Sequence, residues 1–73
     1  MSGKYTREKI IETFAGIYYE FKNNNEELPK KINSEFEIKI KNETLIRLIK
    51  NEKSKKQLIS IIQNKLKEQN RFI

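Results

Sequence analysis

A stretch of alternating apolar and charged residues near the middle of the chain constrains its fold more than any other feature. The apolar positions are Phe36, Ile38 and Ile40. The charged positions between and beside them are Glu35, Glu37, Lys39 and Lys41. A period of two is typical of a half-buried strand, so the sequence predicts a strand over residues 35–41. No other segment alternates in this way, and a lone strand is not stable in water. We therefore expect its backbone hydrogen bonds to go to another molecule, most simply a second copy of the chain.

The same residues also allow a helix. Phe36 and Ile40 are four positions apart, which places them on one face of a helix that would continue from Ser34. The strand gives a mainly α fold with one short strand, and the helix gives a small all-α bundle. We expect the first of these two folds.

The N-terminal part of the chain predicts an amphipathic helix over residues 6–22. Thr6 is a suitable N-cap residue. Gly16 lies within the helix, where it costs about 1 kcal/mol relative to alanine, so we expect another element to pack closely against it. The apolar side chains recur at helical spacing: Ile10, Ile11, Phe14, Ile17, Tyr18 and Phe21.

The C-terminal half predicts two more helices, over residues 42–52 and 54–69. Ser54 and Gln57 have the spacing of a capping box at the start of the last helix. This capping box and the apolar residues that follow it predict the final helix.

Residues 23–34 are expected to connect the first helix to the strand. Asn24 and Glu27 are spaced as in a capping box, but Pro29 limits any helix here to about one turn.

The chain is expected to be one domain, residues 1–73, that needs a partner for stability. It has no cysteine and no histidine, which excludes disulfides and ordinary structural zinc sites. The same absence, together with the lack of a glycine-rich phosphate loop, predicts a protein that is not an enzyme and needs no cofactor or metal. A homodimer is the simplest partner.

The basic residues are concentrated in the second half of the chain. Ten of the sixteen lysines and arginines, but only three of the ten glutamates, lie in residues 38–73. A one-sided positive charge attracts polyanions, and nucleic acid is the commonest of these inside cells. A lysine-rich surface that only keeps the protein soluble would have the same composition.

The chain contains no apolar run long enough to span a bilayer, and residues 1–9 lack the apolar segment of a signal peptide. We therefore expect a cytoplasmic protein.

The order of strand, short helix, serine turn and helix over residues 35–69 resembles the ribbon-helix-helix family of DNA-binding proteins. In that family two copies pair their strands into an antiparallel ribbon that enters the major groove. The resemblance implies a dimeric transcriptional regulator that binds duplex DNA. It places Glu37, Lys39 and Lys41 on the base edges, and Ser54, Lys55 and Lys56 on a phosphate at the N-terminus of the last helix.

The apolar residues of this interpretation would form the core and the dimer or partner interface. They are Phe14, Phe21, Phe36, Ile38, Ile40, Ile59 and Ile62. A second hypothesis is a non-catalytic interaction module that inhibits or assists a larger protein complex through the helix around Phe14 and Phe21 or through the free edge of the strand. Tyr5, Tyr18 and Tyr19 could also stack on single-stranded bases, but their helix lies in the half without excess charge, which favours a place at the rim of the core.

Overall fold

The computed structural model describes residues 3–73, apart from the side chain of Glu52. The described residues form four α-helices and one turn of 3-10 helix. They are α1 (Arg7–Phe21), α2 (Glu27–Phe36), α3 (Asn42–Lys50), the 3-10 turn (Glu52–Ser54) and α4 (Lys55–Glu68). Helix α1 packs against α2 and α4, and α3 packs against the same two helices. The predicted strand is wrong, since no sheet forms within residues 3–73, and the small all-α bundle is the fold that forms.

The segment predicted as a strand is divided between the end of α2 and the connection to α3. Phe36 is the last residue of α2, and Glu37 has a left-handed backbone with φ 56°. The Ile38 N–H donates to the Asn33 carbonyl at 3.0 Å, which is the bond of a Schellman-type helix end. Residues 38–40 then run without regular secondary structure, with Ile38 and Ile40 buried.

A side chain, rather than a second strand, makes the hydrogen bonds to the backbone of this connection. The Asn33 amide Nδ2 donates to the Ile40 carbonyl at 2.9 Å, and its Oδ1 accepts from the Ile40 N–H at 3.0 Å. One amide therefore supplies the pair of bonds that a neighbouring strand would make. Ile40 needs no second molecule for these two groups, which removes the argument for an intermolecular ribbon.

Helix α2 occupies most of the region that was expected to be a connection. Pro29 is its third residue, where the missing N–H would have no partner within the helix, so the proline does not interrupt it. The Asn24 Oδ1 accepts from the N–H groups of Glu26 and Glu27 at 3.2 and 3.1 Å. The Asn24 half of the predicted capping box therefore forms, and a ten-residue helix follows it rather than a single turn.

The core draws side chains from every helix and from the connection. Phe36, Ile32, Ile10, Leu45 and Ile62 are all fully buried. Six of the seven residues predicted for a dimer or partner interface are in this core, namely Phe14, Phe36, Ile38, Ile40, Ile59 and Ile62. Phe21 packs against it and is partly buried. A single chain therefore already buries the side chains that were assigned to a second copy.

Three local expectations for the helices have different outcomes. The Thr6 Oγ1 accepts from the Lys9 N–H at 3.1 Å, so Thr6 caps α1 as predicted. The expected close packing at Gly16 is wrong, because a Cβ added there would meet no atom within 4 Å. The Ser54 side chain makes no capping hydrogen bond, so the predicted capping box does not form.

The two ends of the described chain lie against each other. The Tyr5 N–H donates to the Arg71 carbonyl at 2.8 Å, and the Ile73 N–H donates to the Tyr5 carbonyl at 2.9 Å. Arg71 is buried and donates to the Phe36 carbonyl at 2.6 Å and to the Gly3 carbonyl at 3.1 Å. A cation at the C-terminus of α2 is favourably placed with respect to the helix dipole.

None of the helices in residues 3–73 is long and apolar enough to cross a membrane.

Candidate functional site

A groove lies between α1 and the first turns of α4. Its cavity volume is about 540 Å³, within the range of ordinary ligand sites. Residues of α1 form one wall, and residues from the N-terminal part of α4 form the other. The lining residues are Arg7, Ile11, Phe14, Ala15, Tyr18, Tyr19, Lys55, Lys56 and Ile59.

A row of aromatic rings forms the α1 wall of this groove. The Phe14 and Tyr18 rings stack with their centroids 6.1 Å apart, and Tyr18 meets Tyr19 edge to face at 6.0 Å. Exposure increases along the row: Phe14 is buried, Tyr18 is half-buried and Tyr19 is 71% exposed. The helical spacing produces this gradient, because Tyr18 lies one turn after Phe14 whereas Tyr19 is rotated away from the core. The groove therefore has a fixed aromatic floor and an accessible ring at its edge.

Basic side chains flank the aromatic row from both helices. The Lys55 Nζ lies 4.1 Å from the centroid of the Tyr18 ring, a close cation–π distance. Arg7 comes from α1, and its Nη1 donates to the Gln63 Oε1 of α4 at 2.7 Å. Lys56 is exposed at the α4 edge. Among the described side chains that line the groove there is no carboxylate, so the groove presents positive charge around an apolar floor.

The turn that leads into α4 extends this positive surface. Residues 47–56 cover the end of α3, the 3-10 turn and the start of α4. This segment contains five basic residues and one glutamate, Glu52. The basic residues are Arg47, Lys50, Lys53, Lys55 and Lys56. The last two also line the groove, so the basic turn adjoins the groove at the start of α4.

The structure separates the residues predicted to bind DNA into two groups. Lys55 and Lys56 lie in the groove, next to Ser54 in the chain. Glu37 lies at the other end of α4, because its carbonyl accepts from the Gln69 Nε2 at 3.2 Å. The fourteen residues of α4 span about 21 Å, so the two groups do not form one site. Lys39 and Lys41 follow Glu37 in the connection and are exposed.

Comparison of the chain with protein-family models, with curated proteins and with solved structures gives no match. The ribbon-helix-helix resemblance required a strand, and none forms over residues 35–41. The ribbon part of that interpretation is therefore wrong, and the site has to be interpreted from its own geometry. The described residues contain no cluster of acidic side chains that could hold a metal ion.

Sequence reasoning missed the groove because it treated the two halves of the chain separately. Tyr18 and Tyr19 belong to the half without excess charge, but the packing of α4 on α1 places Lys55 and Lys56 beside them. Arg7 was assigned no role. One feature of the sequence could have indicated the groove. Ile11 and Tyr19 are large hydrophobic side chains of α1 that lie outside the face packed into the core.

Tyr5, the third tyrosine named from the sequence, lies outside the groove. Its ring packs on Phe36 with the centroids 5.2 Å apart, and its hydroxyl donates to the Glu35 carbonyl at 3.3 Å. Burial raises the pKa of the Tyr5 hydroxyl above its ordinary value, and the nearby Glu35 carboxylate raises it further, while Arg71 opposes the shift. This tyrosine has a structural position and is not available as a stacking surface.

Proposed function

We propose that this protein is a small, non-catalytic nucleic-acid-binding protein whose interface is the basic turn of residues 47–56 together with the groove beside it. The observation that carries the proposal is the local charge of this surface. Five of its ten turn residues are basic and one is acidic, and the groove adds Arg7 from α1. Neutralisation of phosphates by such side chains releases counterions, which supplies most of non-specific nucleic-acid affinity.

The type of cation supports nucleic acid rather than a protein as the partner. Lysine is depleted in protein–protein interfaces, whereas it is a standard ligand of phosphate. Four of the five basic residues in the turn are lysines. The proposed binding mode differs from the ribbon expected from the sequence, because its cations come from helix ends and a turn.

A paired set of lysine variants tests whether this surface, rather than total charge, binds nucleic acid. Lys53→Ala with Lys56→Ala removes two charges from the basic turn. Lys30→Ala with Lys31→Ala removes two exposed charges from α2, so both variants have the same reduction of the formal net charge of +6. Fluorescence polarisation with labelled oligonucleotides at low salt is expected to show weaker binding by the first variant and little change in the second.

The salt dependence of the wild-type protein provides the second measurement. The logarithm of the association constant should fall linearly with the logarithm of the salt concentration, and the slope should be shallower in the Lys53/Lys56 variant. Equal losses in the two double variants would show that only net charge matters. Absence of binding to any oligonucleotide at low salt would contradict the proposal.

One observation favours a second candidate, the non-catalytic protein-interaction module. Ile11 is 46% exposed and lines the groove beside Tyr19, which gives α1 an apolar surface that a partner helix could cover. A protein that binds no nucleic acid but is stabilised by an acidic amphipathic peptide, with loss of that effect in Ile11→Ala, would support this candidate.

A further inference from the structure

We infer that the groove between α1 and α4 holds an unpaired base of single-stranded nucleic acid, with the Tyr19 ring as the stacking surface and Arg7, Lys55 and Lys56 on the phosphates. This inference rests on the proposed function and names the form of nucleic acid that the site selects. It depends on the Tyr19 ring, whereas the proposed function depends only on the cations of the basic turn and the groove.

The exposed aromatic ring is the first part of the argument. Tyr19 is 71% exposed at the edge of a groove whose floor is already aromatic. A flat ring at such a position stacks on any base, because every base has a π face. In a duplex both faces of each base are covered by the neighbouring base pairs, so Tyr19 could not stack on a base inside a duplex.

The arrangement of the cations is the second part. Arg7 stands on the α1 side of the groove, and Lys55 and Lys56 stand on the α4 side. A single strand lying in the groove would have its base against the aromatic wall and its phosphates against these edges. Positively charged grooves with aromatic side chains are the usual way in which proteins bind single strands without sequence preference.

The position of Lys55 shows how the charge and the rings are combined. Its Nζ sits 4.1 Å above the Tyr18 ring, which covers that ring and holds the cation inside the groove. Tyr18 is therefore the support for a phosphate-binding lysine. The Lys22 Nζ lies farther from Tyr19, 5.9 Å from its centroid, and Tyr19 is 71% exposed, so Tyr19 is the ring that a base can reach. In this site Tyr18 positions a cation and Tyr19 stacks on the base.

A comparison of single-stranded and duplex probes tests the inference. The probes are a labelled oligo-dT of about 12 nucleotides, within the usual site sizes for such grooves, an oligo-U of the same length, and the dT·dA duplex. The wild-type protein is expected to bind both single strands about tenfold more tightly than the duplex. Tyr19→Ala should lose about tenfold in affinity for the single strands and leave duplex binding unchanged.

Tyr19→Phe is the matched variant, since it keeps the ring and removes only the hydroxyl, and it should bind single strands as the wild type does. Both substitutions are at an exposed position, so thermal unfolding should be unchanged in each. Equal binding of single strand and duplex, or full affinity in Tyr19→Ala, would overturn the inference while leaving the proposed function in place. Absence of binding to every probe would overturn both.

Discussion

Hydrogen bonds from Asn33 hold the connection after α2, which the alternating sequence pattern wrongly predicts to be part of a strand. The alternation of Ile38, Lys39, Ile40 and Lys41 describes burial correctly, because the two isoleucines are inside and the two lysines are exposed. It does not describe hydrogen bonding, since the Asn33 amide pairs with both polar groups of Ile40. A periodic pattern records which side chains face the core and contains no information on a side-chain amide seven residues away.

Replacement of Asn33 by alanine should therefore destabilise the protein. The substitution removes two partly buried hydrogen bonds and leaves the Ile40 N–H and carbonyl without their partner, for an expected loss of about 2 kcal/mol in the free energy of unfolding. Urea denaturation followed by circular dichroism measures it. Asn64→Ala is the control, because Asn64 is an exposed asparagine in α4. Equal effects of the two substitutions would show that the Asn33 bonds contribute nothing.

Tyr5 should make the stability of the fold sensitive to alkaline pH. The folded protein raises the pKa of the Tyr5 hydroxyl, mainly through burial, so the folded state favours the neutral ring. This contribution is fully present below the unfolded pKa of about 10, and it is lost as the pH rises through the higher folded value. Tyr5→Phe keeps the packing on Phe36 and should lose less stability than the wild type between about pH 9 and about pH 11.

Urea unfolding at the two pH values, with Tyr19→Phe as the control, isolates the effect of Tyr5. Effects of pH that the three proteins share cancel in the comparison. If Tyr5→Phe and the wild type lose the same amount of stability, the neutral Tyr5 hydroxyl is not favoured by folding.

The helices differ in how far the sequence could predict them. Helices α1, α3 and α4 fall within the predicted ranges 6–22, 42–52 and 54–69, because their apolar side chains recur at helical spacing. Helix α2 was missed because Pro29 was given more weight than the Asn24 cap, although a proline in the first turn is harmless.

The candidate site could be predicted only in part for a related reason. Lys55 and Lys56 were chosen from the sequence, and they do line the groove. The α1 residues beside these lysines could not be predicted, because a local sequence pattern does not indicate which faces of α1 and α4 pack together.

Gly16 offers a test at the level of one helix. A Cβ at this exposed position in α1 would meet no atom within 4 Å, so Gly16→Ala should add helix propensity without a clash. The expected gain is about 1 kcal/mol, which corresponds to a rise of about 4–8 °C in Tm for a domain of this size. Differential scanning calorimetry measures it, with Ala15→Gly expected to lower Tm. An unchanged or lower Tm in Gly16→Ala would mean that the glycine has a role in the folded state.

The whole molecule is as compact as a single folded domain of its length. Its radius of gyration is 11.3 Å, and a compact domain of this length is expected at about 11 Å. Six of the seven side chains assigned to a dimer or partner interface are in the core of one chain. We therefore predict a monomer, in contrast to the homodimer that an unpaired strand required.

Light scattering should give a mass of 8.8 kDa at all concentrations, and the Tm should not depend on protein concentration. A mass of twice this value, with a Tm that rises with concentration, would show that a second copy is needed. The measurement should also be made with oligo-dT bound, since a single strand longer than one groove can hold two proteins without any contact between them.

The backbone bridge between Tyr5 and Phe72 holds the two ends of the described chain close together. Because the Tyr5 backbone bonds to both Arg71 and Ile73, a short linker from Ile73 back to Gly3 would close the described chain without stretching it. In the chain-entropy treatment, closing a loop of this length lowers the entropy of the unfolded state by an amount worth roughly 4 kcal/mol. A cyclised version would therefore resist both heat and exopeptidases.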